Sequence, residues 1–179
     1  MCKIDLLKLY LNEKYTTMDN FINAIRENQF FTVKEMIYTG IPFNTPDKDN
    51  ITAIYYACEE GCSKIVQLLV SVGANINEGD IINKKTPLMI ASEMGHYKIA
   101  HFLIKHGALI DCQDRDGNTA LMFASLESDL KTTKILVQKG AGLENRNKNG
   151  ESALGLAMSE MADDVVDFLV DNGALLGEL

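Results

Sequence analysis

The chain has 179 residues, 46% of them hydrophobic and 23% charged, which is ordinary for a folded chain and enough for one extended core. Its formal charge of −8 at pH 7 argues against nucleic acid and anionic membranes, partners that are met by clustered Lys and Arg. No run approaches the ~18–20 apolar residues that span a bilayer, and Met1-Cys2-Lys3-Ile4-Asp5 does not open a secretory signal, so a cytoplasmic site is the default, with delivery into a host cell left open.

The first expected element is a short amphipathic helix within residues 1–17, where Ile4, Leu7 and Leu11 fall at helical spacing. It is expected to cap the array that follows. From Asp19 to Gly40 two helical patterns run in succession, Phe21, Ala24 and Ile25 on one and Val33, Met36 and Ile37 on the next. Asn28 between them tolerates a left-handed turn. Asp49 to Ala74 repeats the plan, with Ile54, Ala57 and Cys58 ahead of Gly61 and Ile65, Val66, Leu68 and Leu69 behind it.

Thr86 to Ala108 is the clearest unit. Leu88, Ala91 and Ser92 precede Gly95, while Ile99, Ala100, Phe102 and Leu103 follow it, and Pro87 sits in a first turn, where a missing N–H costs nothing. Asp116 to Ala141 is softer: Thr132 and Thr133 replace an aliphatic pair and Ser128 replaces the inter-helix glycine, so this internal unit is expected to be the least protected. In the last unit, Gly150 to Ala174, Met161 stands at the glycine position. Met resists positive φ at a cost of ~1–2 kcal/mol, so this turn is expected to take another shape. Asp163, Asp164, Asp167 and Asp171 give the final helix a solvated face.

The units share one register. Thr52, Thr86, Thr119 and Ser152 recur about every 33 residues, as do Ala57, Ala91, Ala124 and Ala157 and the pairs Gly73-Ala74, Gly107-Ala108, Gly140-Ala141 and Gly173-Ala174. Only the segment between Gly73 and Thr86 is longer, by a single residue, in what reads as a polar turn. Helix pairs this short cannot bury their apolar faces alone, so each needs a neighbour of its own kind.

These residues resemble the ankyrin-repeat family, whose Thr-Pro-Leu-His start, paired Ala, inter-helix Gly and closing Gly-Ala are best preserved in Thr86-Pro87-Leu88, Ala91, Gly95, Gly107 and Ala108. The resemblance covers Asp19 to Ala174, and the family's His after Leu gives way to Ile22, Tyr55, Met89, Met122 and Gly155. It implies an all-α repeat solenoid of stacked helix-turn-helix units with hairpin-like loops. The expected domain is 18–179, in about five repeats near 18–48, 49–82, 83–115, 116–148 and 149–179.

Catalytic chemistry has no positive signal. His96, His101 and His106 are five apart, and steps of ~140° around a helix make them diverge, so no metal is expected. Cys2, Cys58, Cys62 and Cys112 form no Cys-x-x-Cys and are expected as reduced thiols. The glycines belong to repeat boundaries, leaving no phosphate loop, and no cofactor is expected.

What recurs outside the core is acid. Glu27, Glu60, Met94, Glu127 and Glu160 stand immediately before the inter-helix turns, with Glu59 and Glu93 one residue earlier in their repeats. The resemblance implies that this end of the first helix and the hairpin tips face a concave groove, which makes these residues a candidate ridge for a basic protein segment. A plainer reading pairs Glu60 with Lys64 and Glu127 with Lys131 across the turn, each pair worth ~0–1 kcal/mol. Lys48, Lys85, Arg115 and Lys148 are the candidate tip contacts. The expected function is a monomeric, non-enzymatic module that binds a protein through groove and tips; the alternative is the targeting domain of a larger enzyme or of a secreted microbial effector.

Overall fold

The computed structural model describes residues 18–47 and 51–175, so the expected N-terminal capping helix (residues 1–17) and Lys48 lie outside the described residues. The chain divides into two compact units, one ending at Ala74 and the other beginning at Asn75. Among the described residues there are ten helices and no strand.

The first unit holds α1 (Met18–Arg26), α2 (Phe30–Tyr38), α3 (Ala53–Glu59) and α4 (Ser63–Ser71). Within it α1 packs on α3 and α2 on α4, so that two helix pairs stack and close a core around Phe21, Ile25, Val33, Met36, Ile54, Ile65 and Leu69. Each such buried side chain contributes about 1.5–3 kcal/mol, the favourable energy that helices of seven to nine residues lack by themselves. Side-chain bonds secure the described part of the connecting loop. Tyr56 Oη donates to Asp47 Oδ2 at 2.7 Å, and Asn44 Nδ2 donates to Gly73 O at 3.1 Å.

The second unit repeats the plan three times, with α5 (Pro87–Glu93), α6 (Tyr97–Lys105), α7 (Ala120–Leu126), α8 (Leu130–Gln138), α9 (Ala153–Ser159) and α10 (Asp163–Asp171). The first helices stack as α5, α7, α9 and the second helices as α6, α8, α10. Ala91, Ala124 and Ala157 are fully buried at the contact, where only a small side chain lets neighbouring helices approach.

Two of the first helices, α5 and α7, start with a cap in which methionine takes a polar part. Thr86 accepts from Met89 N, and Met89 Sδ accepts in return from Thr86 N at 3.3 Å. Thr119 and Met122 form the same reciprocal pair. A thioether is a weak acceptor, yet at this buried site it satisfies an amide that would otherwise be orphaned. The family's histidine is therefore replaced in these two repeats by a residue that keeps the bond.

One expectation about the turns is overturned. Met161 has φ 56°, alongside Asn28 at 53°, Ser128 at 53° and the glycines Gly61 and Gly95, so the last inter-helix turn keeps the common left-handed shape. Met161 N still donates to Met158 O and Ala162 N to Ala157 O, as the equivalent amides do after Ser92 and Ala91. The seating of Ala162 and Val165 in the core decides the backbone, and the methionine side chain, 85% exposed, meets no obstruction. The fourth repeat carries its own defect: Thr132 and Thr133 are wholly buried, and the Thr133 and Ser125 hydroxyls have no hydrogen-bond partner among the described residues.

Candidate protein-binding surface

The hairpin loops of the second unit are shaped by one side chain each. Asp114 Oδ1 accepts from the amides of Asp116 (2.9 Å) and Asn118 (2.7 Å), and Asn147 Oδ1 accepts from those of Asn149 and Glu151, both at 3.0 Å. Asp80 does more. It is buried and accepts from Ile82 N, Asn83 N and Lys85 N at 2.9, 2.7 and 2.9 Å. The loop necks close by Asp114 N to Asn118 O and Asn147 N to Glu151 O, but by Asp80 N to Lys85 O in the third repeat, which places the extra residue between Asp80 and Lys85. This tip is not the polar turn its surroundings suggest, because Ile81 and Ile82 stand 58% and 55% exposed on it.

Tips are joined to tips. Arg115 N donates to Asn83 O at 2.7 Å and Lys148 N donates to Asp116 O at 2.8 Å, a rung from each loop to the next within this unit. A second set of rungs lies at the base of the loops. Asn77 donates to Gly107 O and accepts from Leu109 N, Asp111 accepts from Gly142 N, and Glu144 accepts from Leu175 N. These tying residues escaped the sequence reading. Their signal was present in Asn44, Asn77, Asp111 and Glu144, polar side chains that keep the repeat register.

The candidate ridge is uneven. Glu60, Glu127 and Glu160 are exposed and make no side-chain bond among the described residues, while Glu27 accepts a hydrogen bond from the Gln29 amide and Glu59 is half-buried. Met94 is 43% exposed. Glu93 is engaged elsewhere: Lys85 Nζ lies 2.7 Å from its Oε1 and 4.6 Å from the centre of the Phe123 ring. Lys85 is thus drawn in from the tip and is not available there as a free charge. The pairings across the turn do not form either, since Lys131 instead lies over the Tyr97 ring at 5.3 Å and Lys64 has no carboxylate partner among the described residues.

Arg115 and Lys148 remain exposed. Lys148 and Glu160 line a shared groove of about 440 Å³ with Asp116, Asn118, Glu151 and Leu156, so in the last two repeats the end of the first helix and the hairpin tips face one concavity. Its lining is mainly polar and mixed in charge, suited to hydrogen-bonded and ion-paired contacts with a protein chain.

The thiols are quiet. Burial, with the neighbouring Cys62, pushes the Cys58 thiol far up, and burial also raises Cys62, whose Sγ lies 3.4 Å from Ile25 O. Cys112 is half-buried and raised by burial and Asp111. Among the described residues no group of His, Cys, Asp and Glu is arranged to hold a metal ion, and no helix is long and apolar enough to cross a membrane.

Comparison with known proteins agrees with the repeat fold. The chain is 36% identical over 88 residues to glycerophosphocholine phosphodiesterase gde1 of Schizosaccharomyces pombe, 29% over 107 residues to palmitoyltransferase ZDHHC17 of Danio rerio, and 34% over 95 residues to putative ankyrin repeat protein FPV018 of fowlpox virus. These matches take in 49%, 59% and 52% of this chain but only 8%, 17% and 13% of those proteins. The model for ankyrin repeats (3 copies) matches residues 21–114 and 106–177. Ankyrin repeats are generally protein-interaction modules. The stacked helix pairs, the left-handed turns between them and the loops tied one to the next are that repeat in physical form, and the chain belongs to the ankyrin-repeat family.

Proposed function

We propose that this protein is a non-catalytic recognition module that takes a basic segment of a protein partner along the ends of its first helices, with the hairpin tips setting register. Exposed Glu60, Glu127 and Glu160, left without a cation among the described residues, support this reading. A carboxylate held at the end of a short helix and unpaired in the free protein gains most from an incoming Lys or Arg, because no internal bond is broken to make the new one. Glu93 contributes through its pair with Lys85, and Glu27, Glu59 and Met94 flank the contact. Arg115 and Lys148 meet acidic groups on the partner, and Lys48 is assigned to the same role by its place in the repeat.

In this reading the repeats of 18–179 act as one domain behind the 1–17 segment, and the chain works in the cytoplasm as a monomer without a cofactor. Two of the matched relatives are named as enzymes, and the chain spans less than a fifth of their length. That favours a second reading, in which these repeats are the targeting portion of a longer protein.

The test is a titration with Lys/Arg-rich peptides at two salt concentrations, comparing the unmodified chain with Glu60→Lys/Glu127→Lys/Glu160→Lys and with a charge-matched control, Asp164→Lys/Asp167→Lys/Asp171→Lys. Loss of binding in the first variant alone is expected, with the unmodified affinity falling as salt rises. Equal loss in both variants reduces the effect to net charge and sinks the proposal.

A further inference from the structure

The hairpin tip of the third repeat differs from its neighbours in ways that point toward a ligand. The two later tips read Asp114-Arg-Asp-Gly-Asn118 and Asn147-Lys-Asn-Gly-Glu151, whereas this one reads Asp80-Ile-Ile-Asn-Lys-Lys85, one residue longer and apolar at its crest. Lys84 holds φ 58° where the later loops have Gly117 and Gly150, so the loop keeps a conformation that is costly for a lysine. Three amide bonds to the buried Asp80 carboxylate and the rung from Arg115 N to Asn83 O hold it there. At its neck a side chain on Gly79 would come within 2.4 Å of Lys84 O, so only glycine fits.

Ile81 and Ile82 are therefore fixed in place with more than half of their surface in water. Two adjacent β-branched side chains, already restricted in rotamer, lose little entropy when covered. Beside them a groove of about 440 Å³ runs along Ile81, Lys84, Asn77, Gly79, Cys112 and Gln113. Two charged residues line it, Asp80 and Lys84, and the Arg115 guanidinium lies close by, 3.5 Å from Ile81 O. The Asp80 carboxylate in the floor is saturated by the loop's own amides.

We infer that this tip is a separate docking surface for a short partner segment with an aliphatic or aromatic side chain flanked by carboxylates. The apolar side chain covers Ile81 and Ile82, and the carboxylates face Lys84 and Arg115. The inference rests on the protein-binding reading above and shares Arg115 with it, but it does not rest on the glutamate ridge, whose complementary ligand has the opposite charge.

The experiment is selection from a phage-displayed library of random linear peptides on the full chain, followed by titration of the selected peptides. Apolar, acidic sequences are expected, with affinity falling about tenfold or more when Ile81-Ile82-Asn83-Lys84 is replaced by the Arg-Asp-Gly of the next tip, and in Ile81→Ser/Ile82→Ser, which changes only exposed side chains. Both should survive Glu127→Lys/Glu160→Lys. A bound peptide is also expected to slow maleimide labelling of Cys112 in a Cys2→Ser background, since Cys58 and Cys62 are buried. Peptides that bind both tip variants as well as the unmodified chain, or selections yielding only basic sequences lost with the glutamates, overturn the inference; the latter result would leave the proposed function standing.

Discussion

Lys85 and Glu93 close an ion pair along α5, from the residue before its cap to its last residue, Nζ to Oε1 at 2.7 Å, with the side chains only 19% and 25% exposed. The same ammonium lies over the Phe123 ring of the next repeat, so one lysine ties a hairpin to two first helices. Glu93→Gln is expected to destabilise the protein by about 0.5–1 kcal/mol, and Lys85→Met by more, because it removes the ring contact as well. Glu127→Gln and Glu160→Gln, without partners to lose, should change stability by less than about 0.5 kcal/mol. Urea unfolding of the four variants checks the ordering, and equal costs would show that the pair carries no stability.

The thioether caps make a second test. Met89→Leu keeps the volume of the side chain but leaves Thr86 N without its acceptor, for an expected cost of about 1 kcal/mol. Met89→His brings in the residue usual to the family and a stronger acceptor, and should recover stability relative to the leucine variant. A leucine variant as stable as the original protein in denaturant titration would mean that the sulfur contact is only packing.

Met161 offers a stabilising change. Its φ of 56° is strained for a side chain with a Cβ, and its side chain is 85% exposed, so nothing is lost from the core on removal. Relief of ~1–2 kcal/mol, less the extra freedom glycine has when unfolded, leaves Met161→Gly more stable by about 0.5–1 kcal/mol. Thermal and urea unfolding should both move upward. No gain would mean that the native turn is already relaxed around methionine.

The buried thiol of Cys58 gives stability a pH dependence of known sign. Burial first, and Cys62 second, raise its folded-state pKa above the unfolded value near 8.5–9. The contribution is therefore fully present below pH ~8.5 and is lost as pH rises beyond it, because the unfolded chain releases a proton that the folded chain retains. Unfolding free energy measured at pH 7.5 and 10 should fall more steeply for the original protein than for Cys58→Ala, though the variant starts lower from its small cavity. Parallel declines would assign the effect to other groups.

Much of the fold was legible because its signals are local and repeated. Ala91, Ala124 and Ala157 sit where only a small side chain fits, and Thr86, Thr119 and Ser152 accept from the third residue of the helices they precede. The candidate site was legible only as a list of charges. Glu93 and Glu127 occupy neighbouring places at the ends of their helices, yet one is paired and the other is not, and nothing in either helix announces the difference.

By itself the sequence determined the period, the helix pairs, the turns at Gly61 and Gly95 and the membership in the family, since these follow from apolar spacing and caps within a few residues. Tertiary structure alone decided that Met161 is forced into a left-handed turn, that Lys85 leaves the tip for Glu93 and Phe123, and that the added residue lifts Ile81 and Ile82 into solvent. Each depends on how one loop or helix seats against a neighbour about a repeat away. A charge's partner and a loop's exposure are set by that seating, through distances of a few ångströms that spacing along the chain does not encode.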